Sequence, residues 1–275
     1  MIMSPTYRVL RLSLTIVCGL IMALPIFYMV SRSFMTAQEV QAFPATLFPA
    51  ELQWSNYAKA LEFITPQVLW NSVFFSLGVL VLQLVLCLPA AFALAKIPFR
   101  WTGLVLAVLV VPMFVPGNFT LIPTFVITYQ LGWLNSWAGL IVPVAAQIAF
   151  GVLLFRQFFA GLPNGLTEAA RLDGAGWFRV FWSVMLPLAK PALATYCSIT
   201  FLGAWNQYIW PLVTATDPGM TVINVALAPL AAGQYSTASP AVGLAGAAIA
   251  MLPVLLVFLA LQKWYVKGVA GSGLE

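Results

Sequence analysis

The residues best equipped for chemistry lie in one short stretch, Thr167-Glu168-Ala169-Ala170-Arg171-Leu172-Asp173-Gly174-Ala175. Glu168 and Asp173 are carboxylates separated by Ala169-Ala170-Arg171-Leu172. The sequence contains no histidine, so the commonest general base and metal ligand is missing, and no nucleophile–base pair offers itself. Two acids on an alanine-rich surface suit ion pairing with a basic partner that approaches closely. The chemistry on offer is docking rather than bond making.

A second set of polar residues is uncharged. Asn71, Gln83, Gln147, Asn206, Gln207 and Tyr208 fall within strongly apolar runs, where polar side chains are functional candidates by default. Amides hydrogen-bond hydroxyl groups, and aromatic faces stack on sugar rings. Trp205, Asn206, Gln207 and Tyr208, with Gln147 and Asn71, are therefore the candidate lining of a pathway for a hydroxyl-rich ligand. Such residues also bond between helices and form interfacial belts, and both readings stand at this level. Cys18, Cys87 and Cys197 each lie in an apolar run, and their odd count argues for packing residues instead of a disulfide or a metal site.

The elements that must position these residues follow from composition. The chain is 62% hydrophobic and 7% charged, against about 25% charged in soluble domains. Its expected solvent is the bilayer. Six apolar stretches approach the roughly 20 residues that a spanning helix needs, near 10–31, 70–95, 102–124, 137–156, 190–213 and 240–264. Backbone groups in lipid must be satisfied internally, so the fold class is all-α. Residues 1–275 form a single membrane domain. The first stretch exceeds the core of a signal peptide and is read as a retained span. Pro25, Pro89, Pro143 and Pro253 lie inside spans and are expected to kink or unwind them. With both termini in the cytoplasm, all 12 Lys and Arg except Arg32 and Lys59 fall inside, as the positive-inside rule requires. The basic residues sort by membrane side and form no patch for nucleic acid. In the first outer loop, Trp54–Leu61 is expected to form a short interfacial helix capped by Ser55 or Asn56.

The acidic stretch falls in the cytoplasmic loop 157–189, between spans four and five. Pro163 stops what precedes it, and Asn164 is a suitable cap for a helix starting near Gly165. Leu166, Ala169, Ala170 and Leu172 give that helix an apolar face, with Glu168 in its first turn. Gly174 or Gly176 ends it through positive φ. A second amphipathic stretch carries Trp177, Phe178, Phe181, Trp182 and Met185, and Pro187 and Pro191 lead into the next span.

Glu168-Ala169-Ala170, Asp173-Gly174-Ala175, Phe181 and Leu186-Pro187 together resemble the EAA motif of permease subunits in ATP-binding-cassette importers. Asn71-Ser72, Phe155-Arg156-Gln157-Phe158-Phe159, the stretch from Gly203 to Pro211 and that from Gln262 to Gly268 are similar to its carbohydrate branch. The nearest class is the six-span permease of the maltose and glycerol-3-phosphate type. The tail beyond Gly268 departs from the family by lacking a basic end.

This resemblance implies the type I importer permease fold in a bacterial cytoplasmic membrane. It implies a second, related permease as heterodimeric partner, two ATPase subunits and an extracytoplasmic solute-binding protein. Glu168, Ala169, Ala170, Asp173 and Gly174 would form the coupling helix that docks on the ATPase. The chain has no phosphate-binding loop, so ATP and Mg would be bound by the ATPases, with no cofactor here and no enzymatic activity. The implied solute is a carbohydrate, with glycerol-3-phosphate or a glycerophosphodiester as the alternative. An ion-coupled secondary transporter fits less well, because every carboxylate lies in a loop or the tail.

Overall fold

The computed structural model describes residues 5–231 and 239–271, with side chains described for 9–230 and 239–263. The tail residues 272–275 and the end of the last outer loop, 232–238, lie outside the described residues. The regular elements of the described residues are all helical: α1 (Pro5–Ser33), α2 (Ala37–Gln41), α3 (Ser55–Phe63), α4 (Pro66–Lys96), α5 (Thr102–Val110), α6 (Gly117–Gln130), α7 (Trp137–Ala145), α8 (Ala149–Gly161), α9 (Asn164–Leu172), α10 (Trp177–Val180), α11 (Leu186–Leu188), α12 (Lys190–Trp205), α13 (Ile209–Thr214), α14 (Ile223–Ala231) and α15 (Pro240–Gly271), with short 3-10 and π turns between some of them.

Among the described residues three single helices are long and apolar enough to cross a membrane: Val9–Ser33, Pro66–Lys96 and Pro240–Lys263. Three bent pairs also qualify if each is one span. Thr102–Phe114 with Gly117–Gln130 bends by 101°, Trp137–Ala145 with Ala149–Gly161 by 48°, and Trp177–Leu188 with Lys190–Trp205 by 77°. The prolines do not dictate these breaks alone. α1, α4 and α15 run through Pro25, Pro89 and Pro253 as continuous helices, and α7 continues past Pro143 before ending at Ala145.

The chain divides into two compact units, Met1–Thr65 with Ala226–Leu252 and Pro66–Val225 with Pro253–Glu275. In the first, α1 buries none of its apolar window within the chain, as suits a helix solvated by lipid. Beyond it, α3 forms as expected, but neither Ser55 nor Asn56 caps it. The Asn56 amide instead donates 2.9 Å hydrogen bonds to Ser33 O and Met35 O, and so pins the chain that leaves α1. Thr36 and Glu39 form a capping box on α2, and Glu39 Oε1 accepts from Ala50 N at 2.9 Å. The apolar core of this unit joins Ala60 of α3 to Leu230, Val242 and Ala245.

In the second unit α4 is the central rod. One cluster packs its Cys87, Leu88, Ala91 and Phe92 against Val152, Phe155 and Phe159 of α8, and against Val180, Phe181, Met185 and Tyr196. Another packs its Phe75 and Val79 against Leu140, Ala145, Ala204 and Val222. α4 is apolar all round: one side carries these buried contacts, while Trp70, Leu77, Val81 and Val85 on the other are exposed, as suits a helix that also faces lipid or a partner.

Candidate functional site

Two sites take shape in the second unit, one at its α9 end and one among the broken helices.

At the first, α9 begins one residue earlier than expected. Asn164 is its first helical residue and does not cap it, because its Oδ1 accepts from Lys96 Nζ at 2.8 Å. The same ammonium donates to Leu162 O at 2.7 Å. Lys96 is the last residue of α4, so the rod is tied directly to the start of α9. This shift puts Glu168 in the second turn, and no acid occupies the first. The dipole argument for Glu168 therefore lapses.

Of the two glycines open as terminators, Gly174 is the one with positive φ, at +79°. Ala175 N bonds Ala170 O at 3.0 Å and Gly174 N bonds Arg171 O at 3.1 Å, the paired bonds of a Schellman motif. Ala170 packs inward and Thr167 is buried. Glu168, Ala169, Asp173 and Gly174 are exposed, and so is Leu172, at 88%. The expected apolar face is thus divided. One part anchors the helix, while Leu166, Ala169 and Leu172 remain outside. Glu168 makes no hydrogen bond or ion pair among the described residues. Beyond the elbow, Phe181 and Met185 turn inward, through a π-helical turn at Phe181–Met185. Phe178 and Trp182 stack face to face on the outside, 6.3 Å apart at 5°.

The second site is a cavity of ≈ 490 Å³, within the 300–1,000 Å³ range of ligand pockets. Chain breaks build it. Asn118 comes from the start of α6, just after the sharpest bend. Gln147 comes from the break between α7 and α8, and Asn206, Gln207 and Tyr208 from the break between α12 and α13. Thr120 and Thr124 add hydroxyls. No charged side chain lines the cavity. Unwound backbone at membrane depth is tolerated where it is covered by protein or lines such a cavity.

The structure brings together four of the six pathway residues picked from the sequence and separates two. Trp205 is 3% exposed and stacks on Phe201 at 5.6 Å, while its carbonyl accepts from Asn224 Nδ2 at 2.6 Å. Asn71 is fully buried. Its Nδ2 donates to Gly219 O and Thr221 O at 2.9 and 3.0 Å, and its Oδ1 accepts from Gln67. Both Nδ2 bonds tie α4 to the 219–221 segment, and Oδ1 is held from one turn back on α4. Sequence reasoning did not single out Asn118, although an amide between Pro116 and Pro123 in an apolar run was its visible signal.

The description "binding-protein-dependent transport system inner membrane component" belongs to a family model that matches residues 86–271. The sn-glycerol-3-phosphate transport system permease protein UgpE of Brucella abortus is 31% identical over 257 residues, covering 90% of this chain and 91% of its own. Its counterpart from Pectobacterium atrosepticum is 35% identical over 243 residues, covering 86% of each. A chain from the crystal structure of a bacterial ABC transporter involved in import of the acidic polysaccharide alginate superposes with a TM-score of 0.79 at 26% identity, over 96% of this chain and 99% of that one. On the helical architecture, the family match and these full-length relatives, the chain belongs to the binding-protein-dependent transport system inner membrane components, as a multi-pass transport subunit of the cytoplasmic membrane and not an enzyme.

Proposed function

We propose that this chain forms half of the translocation pathway of an ATP-driven importer for a sugar-type solute, with the cavity at the three helix breaks as its share of the path. Family membership implies ATPase partners that bind ATP. The composition we propose is a heterodimer with a related permease, two ATPase subunits and an extracytoplasmic binding protein. α9 is the coupling helix, with Glu168, Ala169, Asp173 and Gly174 on its docking side and Ala170 anchoring it. Both termini and α9 then lie in the cytoplasm, which the Lys and Arg distribution supports.

The observation that carries this reading is the convergence of Asn118, Gln147, Asn206, Gln207 and Tyr208 on one uncharged cavity. Amides offer donor and acceptor side by side, the pattern that hydroxyl groups match. Glycerol-3-phosphate is the second reading, favoured by the names of the relatives. A phosphate calls for basic partners, which the second permease would have to supply.

The solute class is tested by a thermal-shift screen of the cognate binding protein against neutral sugars and glycerol phosphates. The cavity is tested by Gln207→Leu in the complete transporter, assayed with the solute so identified. The half-saturation concentration for uptake is expected to rise about tenfold, since an unmatched buried hydroxyl costs about 1–3 kcal/mol. An unchanged value sinks the cavity assignment.

A further inference from the structure

One buried network on the cavity's flank has the geometry to control it. Gln147 lines the ≈ 490 Å³ cavity and also two adjoining ones of ≈ 550 and ≈ 180 Å³. It stands there because the α7–α8 break displaces the chain from a regular helix. Ile148 N bonds Ala146 O at 2.8 Å, where a continuous helix would use Val144 O. A break of this kind leaves main-chain carbonyls that need donors in a membrane interior.

Gln83, on α4, donates to two of them, of which Val144 O otherwise takes a long 3.4 Å bond from Gln147 N. Its Nε2 donates to Val144 O at 3.2 Å and to Gln147 O at 3.4 Å. Its Oε1 accepts from Tyr196 Oη at 2.7 Å and from Thr200 Oγ1 at 3.4 Å. Two carbonyls can only accept, so the amide has one permitted orientation. Cys87, one turn along α4, reaches Ile148 O at 3.5 Å. Gln83 is 7% and Tyr196 1% exposed, so protein atoms cover most of both side chains, and the ≈ 180 Å³ hollow touches them at one edge. Gly151 makes the room: a Cβ there would stand 2.5 Å from Tyr196 Oη and 2.6 Å from Cys87 Sγ.

We propose that Gln83, oriented by Tyr196, is a positioning residue for transport: it holds the α7–α8 break unwound and thereby keeps the Gln147 side chain on the cavity without touching the solute. The inference rests on the cavity being the solute's path. Without the Gln83 amide, the carbonyls of Val144 and Gln147 have the amides of residues 148 and 151 as alternative donors. Taking them winds the break into helix and rotates position 147 away.

The test uses the complete transporter in proteoliposomes carrying Gln147→Cys, with trimethylammonium-ethyl methanethiosulfonate as the probe and the parent transporter as background. The introduced thiol is expected to label readily. Adding Gln83→Leu should slow labelling about tenfold, and Tyr196→Phe, which removes a single hydroxyl, about threefold, as loss of buried hydrogen bonds implies. Co-purification with the ATPases should stay intact, which separates repositioning from unfolding. If Gln83→Leu does not assemble, Tyr196→Phe decides. Rapid labelling that neither variant changes overturns the positioning role and leaves the cavity standing. Absence of labelling in Gln147→Cys alone overturns the cavity reading and this proposal with it.

Discussion

At the scale of single residues, two glycines show different uses of a missing Cβ. At Gly174 the issue is dihedral. Its φ of +79° is strained for an L side chain, yet nothing lies within 4 Å of where a Cβ would stand. Gly174→Ala should therefore cost about 1–2 kcal/mol at the elbow, from left-handed strain alone. Gly174→Asn should cost less, since asparagine tolerates that region. Hydrogen exchange over 164–176 measures this, with amide protection expected to fall about tenfold in the alanine variant. Equal protection in both variants would show that the elbow is not held by φ. At Gly151 the issue is space, because a methyl group must push Tyr196 and Cys87 aside. The sequence made the first glycine visible, since it follows a helical stretch at a cap position, although Gly176 competed with it. It gave no sign of the second, whose neighbours lie on α4 and α12. Asn164 misled for a related reason. Its position suits a cap, but Lys96, 68 residues away, claims its oxygen.

At the scale of elements, the six apolar stretches were legible because a bilayer imposes length and hydropathy directly on sequence. The breaks within them were less so. Proline was the natural guide, yet α4 and α15 absorb theirs, since neighbouring helices and side chains can satisfy what a proline frees. The break that matters at Gln147 is stabilised by Gln83, a partner 64 positions away that no local rule detects. The outer loop gives an element-scale prediction about pH. Hydrogen bonds from the main-chain amides of Thr36 and Ala50 hold the Glu39 carboxyl below its ordinary value of 4.5. A folded value below the unfolded one means that the contribution is fully present above the ordinary value and is lost as pH falls through the folded one. Amide protection over 36–50, corrected for intrinsic exchange, should fall below pH 4.5 in the wild type. In Glu39→Gln that acid-dependent step should be absent. A step of equal size in the variant would show that another group governs the loop.

At the scale of the whole molecule, a chain with 12 basic and 7 acidic residues has few charges to place, and Glu168 stands on the exposed side of α9 with no partner among the described residues. That combination allows a clean experiment. Exposed substitutions away from caps and networks usually change stability by no more than about 0.5 kcal/mol, so Glu168→Arg should leave this chain folded and inserted. If α9 grips an ATPase through that carboxylate, reversal places like charges in contact. Breaking a hydrogen-bonded interfacial pair costs about 2–5 kcal/mol, enough to lower coupled uptake at least about tenfold. The expected pattern is normal insertion, an unchanged melting temperature for the isolated permease pair, and loss of both ATPase co-purification and uptake. A compensating acidic substitution at the contacting basic residue of the ATPase should restore them. Unchanged uptake in Glu168→Arg would refute the grip outright. Lost uptake with full co-purification would move the role of Glu168 from docking to transmission, where the link from Lys96 to α9 becomes the next contact to cut.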